Sequence, residues 1–239
     1  KMIYFFGSGK AEGRAEMKEL LGGKGANLAE MTNIGIPVPA GFTITTEVCA
    51  EYIAKNNVFP QGLIEELKQN ITFLEDSMGA KFGDPDSTLL VSVRSGAAQS
   101  MPGMMDTVLN LGISPAVVEG MIKRTGDRRF AYDVYRRFIQ MFGDVVMDVP
   151  HHDFEEILEN AKNEKNVELD TDLDADDMKI VIDKYIAVYE KHTGESFPTD
   201  PFLQLTKSVE AVFRSWDNPR AKKYRQLNDI KGLLGTAVN

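Results

Sequence analysis

Leu89-Leu90-Val91-Ser92-Val93-Arg94-Ser95-Gly96-Ala97-Ala98-Gln99-Ser100-Met101-Pro102-Gly103-Met104-Met105-Asp106-Thr107 is a sharp change of character within nineteen residues. An apolar run drives into an arginine, then into a loop of small residues and methionines. The run Leu89–Arg94 predicts a buried strand that carries a cation to its end, because a short apolar stretch bounded by turn residues suits a strand. Pro102-Gly103 punctuates the residues after Arg94 as loop. Small residues leave backbone amides open to close over an anion. Arg94 presents planar donors that need either a carboxylate or a phosphate, and both partners stay open on the arginine alone. The adjoining Ser/Gly/Met loop favours a ligand, with Ser95, Gly96, Met101, Met104 and Asp106 as its lid and Asp106 and Thr107 as polar groups at its far edge.

Working outward, Leu21-Gly22-Gly23-Lys24-Gly25-Ala26-Asn27-Leu28-Ala29-Glu30-Met31 predicts a glycine turn opening a helix that ends near Gly35. It is not a P-loop: no Ser or Thr follows Lys24 and no earlier glycine has the required spacing. A lysine at a helix N-terminus can still meet a phosphate, since amides and macrodipole favour anions there, although a solvated lysine is the plainer reading. Ile3–Gly7 reads as a first strand and Phe42–Thr45 as another. Helices follow at about 46–55 and 61–77, the second with a stripe of Leu63, Ile64, Leu67, Ile71, Leu74 and Met78.

From Ser114-Pro115 the pattern is helical. Val117, Val118, Met121 and Ile122 point inward, Asp127 caps the next helix, and Phe130, Val134, Phe138, Met141 and Val145 recur at helical spacing. Further helices carry Phe154, Ile157, Leu158 and Ala161, then Met178, Val181, Ile182, Tyr185, Ile186 and Tyr189. Asp200-Pro201 and Asn218-Pro219 start two more, with Leu203, Val209, Val212, Phe213 and Trp216 inward in the first. The chain closes on a β-like Thr236-Ala237-Val238. The expected class is α+β, with residues 1–112 as a mixed sheet with helices, 113–199 as an all-helical insertion and 200–239 returning to the first part.

Of 239 residues, 43% are hydrophobic and 26% charged, an ordinary globular balance, and no apolar run reaches the roughly 20 residues of a membrane span. The net charge of −9 sits in one place. Residues 151–200 hold 15 Asp and Glu against 5 Lys, so that segment is unsuited to nucleic acid while the rest is free to bind phosphates. Cys49 is the lone cysteine, set among Val48, Tyr52 and Ile53, and reads as core in a reducing cytoplasm. Asp170-Thr171-Asp172-Leu173-Asp174-Ala175-Asp176 imitates a calcium loop but carries Ala175 for the glycine and Val181 for the closing glutamate, so a helix cap is expected. His151, His152 and His192 lack metal-ligand spacing, and Arg128-Arg129 with Arg136-Arg137 read as a charged helix face that could hold an acidic neighbour or a phosphate.

Leu20–Met31, Pro37–Thr46, Ser92–Gly112, Phe130–Met141 and Phe213–Ala221 resemble the pyruvate, phosphate dikinase family over essentially the whole chain. The resemblance implies the first lobe of an ATP-grasp nucleotide-binding domain carrying a helical insertion. The family passes the β-phosphoryl group of ATP to a histidine on a separate domain and on to pyruvate, giving phosphoenolpyruvate, AMP and pyrophosphate, with magnesium and phosphate required. It implies Lys24, Arg94, Gly103 and Thr107 as nucleotide contacts, no catalytic residue and no metal ligand in this chain, and a second lobe beyond Asn239. Partners implied are ATP, phosphate and the phosphohistidine domain, in a cytoplasmic homodimer joined through other regions. The fragment by itself is expected to be inactive. A related phosphoenolpyruvate synthase-like dikinase and a stand-alone binding module are the alternatives.

Overall fold

A computed structural model describes residues 1–239. The chain runs β1 (Ile3–Gly7), β2 (Lys10–Ala11), α1 (Lys18–Asn33), β3 (Gly41–Ile44), α2 (Thr46–Ala54), α3 (Leu63–Met78), β4 (Lys81–Phe82), β5 (Thr88–Leu89), β6 (Val91–Gly96) and β7 (Thr107–Leu111). It continues as α4 (Pro115–Thr125), α5 (Arg128–Met141), α6 (His151–Lys165), α7 (Ala175–Thr193), α8 (Pro201–Trp216), α9 (Pro219–Leu227) and β8 (Ala237–Val238). The expected α+β class holds. Two compact units result: Lys1–Ala80 with Ser92–Thr107 and Ser208–Asn239, and Lys81–Val91 with Val108–Lys207.

In the first unit, strands lie in the order β2-β1-β3-β8-β6. The ladder is antiparallel, with Ile3 opposite Ile44, Ile44 opposite Val238 and Ser95 opposite Val238. Parallel pairing occurs between β4 and β5. The short Thr-Ala-Val run is therefore a central strand, wedged between pieces of chain nearly 200 and 140 residues earlier. Its neighbours are close: a Cβ on Gly235 would lie 2.9 Å from both Cys49 Cβ and Thr46 O. Cys49 is fully buried, and burial pushes its thiol up to about 12, which makes it packing material. Tyr52 stacks at 5.3 Å on both Phe59 and Phe213, tying α2 to the end of α8.

The second unit is helical apart from β4, β5 and most of β7. Ser114, Asp127 and Asp174 accept hydrogen bonds from the first-turn amides of α4, α5 and α7, and Gly126 and Gly194 close two helices in the left-handed region. Asp174 is thus the cap that the aspartate-rich run promised. The core is aromatic: Phe154 meets Tyr185 and Tyr189 meets Phe197, each at 5.0 Å.

Four expectations fail locally, the first at Met78, expected on the α3 stripe but 48% exposed as the last residue of that helix. Phe130 is 46% exposed, because the buried stripe of α5 begins one residue later with Ala131 and continues through Tyr135, Phe138 and Ile139. Val146 is buried in place of Val145, since residues Phe142–Val146 form a π-helical turn that admits one extra residue and slips the register. Leu203 stays 43% exposed on the first turn of α8.

Candidate functional site

The strand expected at Leu89–Arg94 is displaced by two residues: β6 spans Val91–Gly96, with β5 ending at Leu89 before it. Arg94 is therefore mid-strand. Its backbone N–H and C=O both pair with Asn239 at 2.8 Å. The alternation Val93 buried, Arg94 exposed, Ser95 buried sends its guanidinium to the open face.

The glycine turn is where the sequence placed it. Gly22 adopts φ 67 and ψ 169, breaking α1, and regular helix resumes at Gly23. A Cβ at Gly22 would sit 1.6 Å from the Gly96 carbonyl oxygen, and the Gly23 amide donates to the Ala97 carbonyl at 3.0 Å. The helix start is thereby clamped to the end of β6. Lys24, two residues into the helix, donates from Nζ to the Ser95 carbonyl at 2.8 Å. Burial lowers its pKa, and the nearby charge of Arg94 lowers it further. No carboxylate pairs with either cation.

Around this clamp lies a cleft of about 590 Å³ walled by the helix start, the end of β6 and the loop 97–106. Of the expected residues, Lys24, Ser95, Gly96, Met101, Gly103 and Thr107 line it. Arg94, Met104 and Asp106 do not. Arg94 bears on Lys24 only as a nearby charge that helps lower its pKa. Met101 is 5% exposed and anchors the loop, and Gly103 turns at φ 72 with open space around its Cα.

The far end of the loop is tied down. The Asp106 amide donates to Ser215 Oγ and Asn218 Nδ2 to the Met104 carbonyl, both at 3.5 Å, while Arg220 stands 4.0 Å from Asp106. These tethers lie at the turn between α8 and α9, 109 to 114 residues later, so no local pattern pointed to them. Lys18 and Asn27 also line the cleft. Asn27 follows Lys24 by three, so helical spacing could have found it. Lys18 lies across the Gly22 break, where that spacing no longer holds.

The lining contains no Asp or Glu, and no group of three His, Cys, Asp or Glu anywhere in the chain is placed to hold a metal ion. His151 lies between Asp144 and Glu155, and His192 meets Asp153 at 2.6 Å. An unneutralised pair of cations beside a clamped helix start can take an anion.

Comparison with known proteins gives the same direction. Residues 18–64 and 58–239 match the family described as pyruvate phosphate dikinase, AMP/ATP-binding domain. The whole chain is 56% identical to a chloroplastic pyruvate, phosphate dikinase of Flaveria trinervia, covering 25% of it. It is 57% identical to the pyruvate, phosphate dikinase of Clostridium symbiosum, covering 27% of that protein, and 55% identical to a chloroplastic one of Arabidopsis thaliana, covering 25%. The chain spans about a quarter of the length of these curated relatives. It belongs to the pyruvate phosphate dikinase AMP/ATP-binding domain family.

Proposed function

We propose that this chain is the ATP-handling part of a pyruvate, phosphate dikinase, the first lobe of an ATP-grasp site completed by a second lobe of a longer polypeptide. In that reading ATP, phosphate and pyruvate become AMP, pyrophosphate and phosphoenolpyruvate. The β-phosphoryl group travels through a histidine on a separate domain, in a cytoplasmic homodimer joined through other regions. The observation that carries the reading is Lys24 at the wall of the 590 Å³ cleft with Arg94 close enough to act on its charge, and no carboxylate paired with either. Two neighbouring cations repel in the empty site, and a polyphosphate arriving between them replaces that repulsion with attraction to both.

Each part then has a task. Lys24 and Arg94 neutralise phosphate oxygens, and Gly103 and Thr107 bring the loop against the nucleotide. Met101 and Met105, which line the cleft, give the loop an apolar surface that excludes water during transfer. Magnesium supplies charge neutralisation on ATP in such chemistry, but the carboxylate-free lining does not fit it, so no step here runs through the metal.

The test uses the full-length protein. Arg94→Ala, or Lys24→Met, lowers the ATP-side partial reaction by about a hundredfold or more. Either leaves phosphoryl exchange between the phosphohistidine and pyruvate intact. Loss of both half-reactions together would mean that these residues hold the fold and not the nucleotide. The isolated 239-residue chain is expected to bind ATP weakly or undetectably by calorimetry, and micromolar affinity there would contradict the need for a second lobe.

A further inference from the structure

Two of the glycines around the cations are small for a reason other than the ligand. A Cβ on Gly25 would lie 2.8 Å from Asn239 Oδ1 and 2.7 Å from Thr43 Oγ1, and a Cβ on Gly96 would lie 2.5 Å from Asn239 Nδ2. One amide therefore fills the gap between the helix start, next to Lys24, and the end of β6. The backbone of the same residue holds Arg94 through two 2.8 Å hydrogen bonds. Buried Thr43 donates from its hydroxyl to Asn239 Oδ1 at 2.8 Å, which fixes the amide with Nδ2 toward Gly96. That Nδ2 is buried and has no partner. Thr43 accounts for the amide oxygen, but nothing in the fold accounts for the Nδ2 donor, which packing alone would not leave buried and unpaired.

We infer that Asn239, oriented by Thr43, is the positioning residue that sets Lys24 and Arg94 for a polyphosphate, and that the position requires an uncharged polar group. It touches the backbone on both sides of the cation pair. A carboxylate of the same shape would supply the counter-charge the site withholds and compete with the phosphate for both cations. The inference rests on the proposed ATP-binding role of the cleft.

The experiment measures KM for ATP and kcat of the ATP-side partial reaction in the full-length protein, with thermal unfolding alongside. Asn239→Asp raises KM for ATP at least tenfold near neutral pH with a smaller change in kcat, and the deficit shrinks as pH falls and the new carboxylate protonates. Thr43→Val, which frees the amide, raises KM in the same sense, and Thr43→Ser, which keeps the hydroxyl, restores it. Should Asn239→Asp not fold, the Val and Ser pair at position 43 decides. A KM unmoved by Asn239→Asp, or equal KM values for Thr43→Val and Thr43→Ser, overturns the inference. So does a fall in kcat and stability without a change in KM. If Arg94→Ala also leaves KM for ATP untouched, the ATP reading itself is what has failed.

Discussion

Lys24 with its neighbour Arg94, and the arginines of α5, are the same chemistry in opposite settings. Arg136 is 3% exposed and grips Asp133 through two hydrogen bonds of 2.9 and 2.7 Å, and Arg137 takes the other oxygen of Asp133 at 3.1 Å. Arg129 donates to the carbonyls of Leu173 and Asp170, and Arg128 pairs with Asp176. Each has its acceptor in place. Lys24 has a single carbonyl, and Arg94 has no acceptor for its guanidinium. Arginines that look alike in the sequence separate by one criterion: whether the fold gives them an anion or leaves that to something else.

The comparison breaks most violently at the glycine clamp. Gly22→Ala forces a Cβ into the Gly96 carbonyl oxygen, a backbone atom with no rotamer to escape into, at a positive φ. The expected loss is about 4 kcal/mol or more, at the diagnostic end of the range for single substitutions. Gly103→Ala has a similar φ but open space around it, so it is expected to cost only about 1 kcal/mol. Denaturant unfolding of the two variants separates clash from backbone strain. Equal losses would show that the clamp is not rigid.

Arg136→Met comes next. It strands Asp133, which is 15% exposed and left with Arg137 alone, and should destabilise by about 2 kcal/mol, below the full penalty for a buried orphan charge because water and Arg137 still reach it. Arg94→Met, on the open face of β6, is expected to leave unfolding within about 0.5 kcal/mol of the parent while lowering the proposed ATP-side reaction of the full-length protein. Reversed outcomes, a stable Arg136 variant and an unfolded Arg94 one, would dissolve the distinction. Tyr189→Phe tests the helical unit from the other side. Its hydroxyl is buried without a partner and burial pushes its pKa up to about 12. Removing it is expected to be neutral or stabilising by up to about 1 kcal/mol.

Local chemistry was readable in the sequence. The Gly22 turn, the caps Ser114, Asp127 and Asp174, and the strand at residues 237–238 all arise from short-range patterns. What required the fold is the set of contacts across long separations. Asn239 meets Thr43 across 196 residues, and Ser215 meets Asp106 across 109. Gly25 shows the limit well. In the sequence it belongs to a phosphate-style glycine run, and in the structure its missing side chain makes room for Asn239 and Thr43. Likewise, no sequence spacing says that Arg94 lacks a carboxylate; that depends on what the neighbouring strands bring. The slipped register after Phe142 was hidden because a π-helical turn leaves the apolar residues in place and changes only which of them face inward.

The subtlest consequence of leaving cations unpaired is a pH slope. Burial, and then the charge of Arg94, lower the Lys24 pKa below its ordinary 10.5. The folded state therefore releases the Lys24 proton more readily than the unfolded chain does. Below the lowered value both states hold the proton and the penalty of keeping a charged Lys24 is constant. As pH climbs from that value toward 10.5 the folded state sheds its proton first and the penalty disappears. The parent should gain stability relative to Lys24→Met over that interval, and the difference between them should be flat at lower pH. The effect is small, since Lys24 is more than a third exposed and solvent screens it. Paired unfolding curves at about pH 8 and about pH 10.5 measure it as a difference, so the lost Ser95 contact cancels. A separation that does not change would mean that the Lys24 pKa is the same folded and unfolded. A parent that loses stability relative to Lys24→Met as pH rises would mean that Lys24 has a counter-charge, like the arginines of α5.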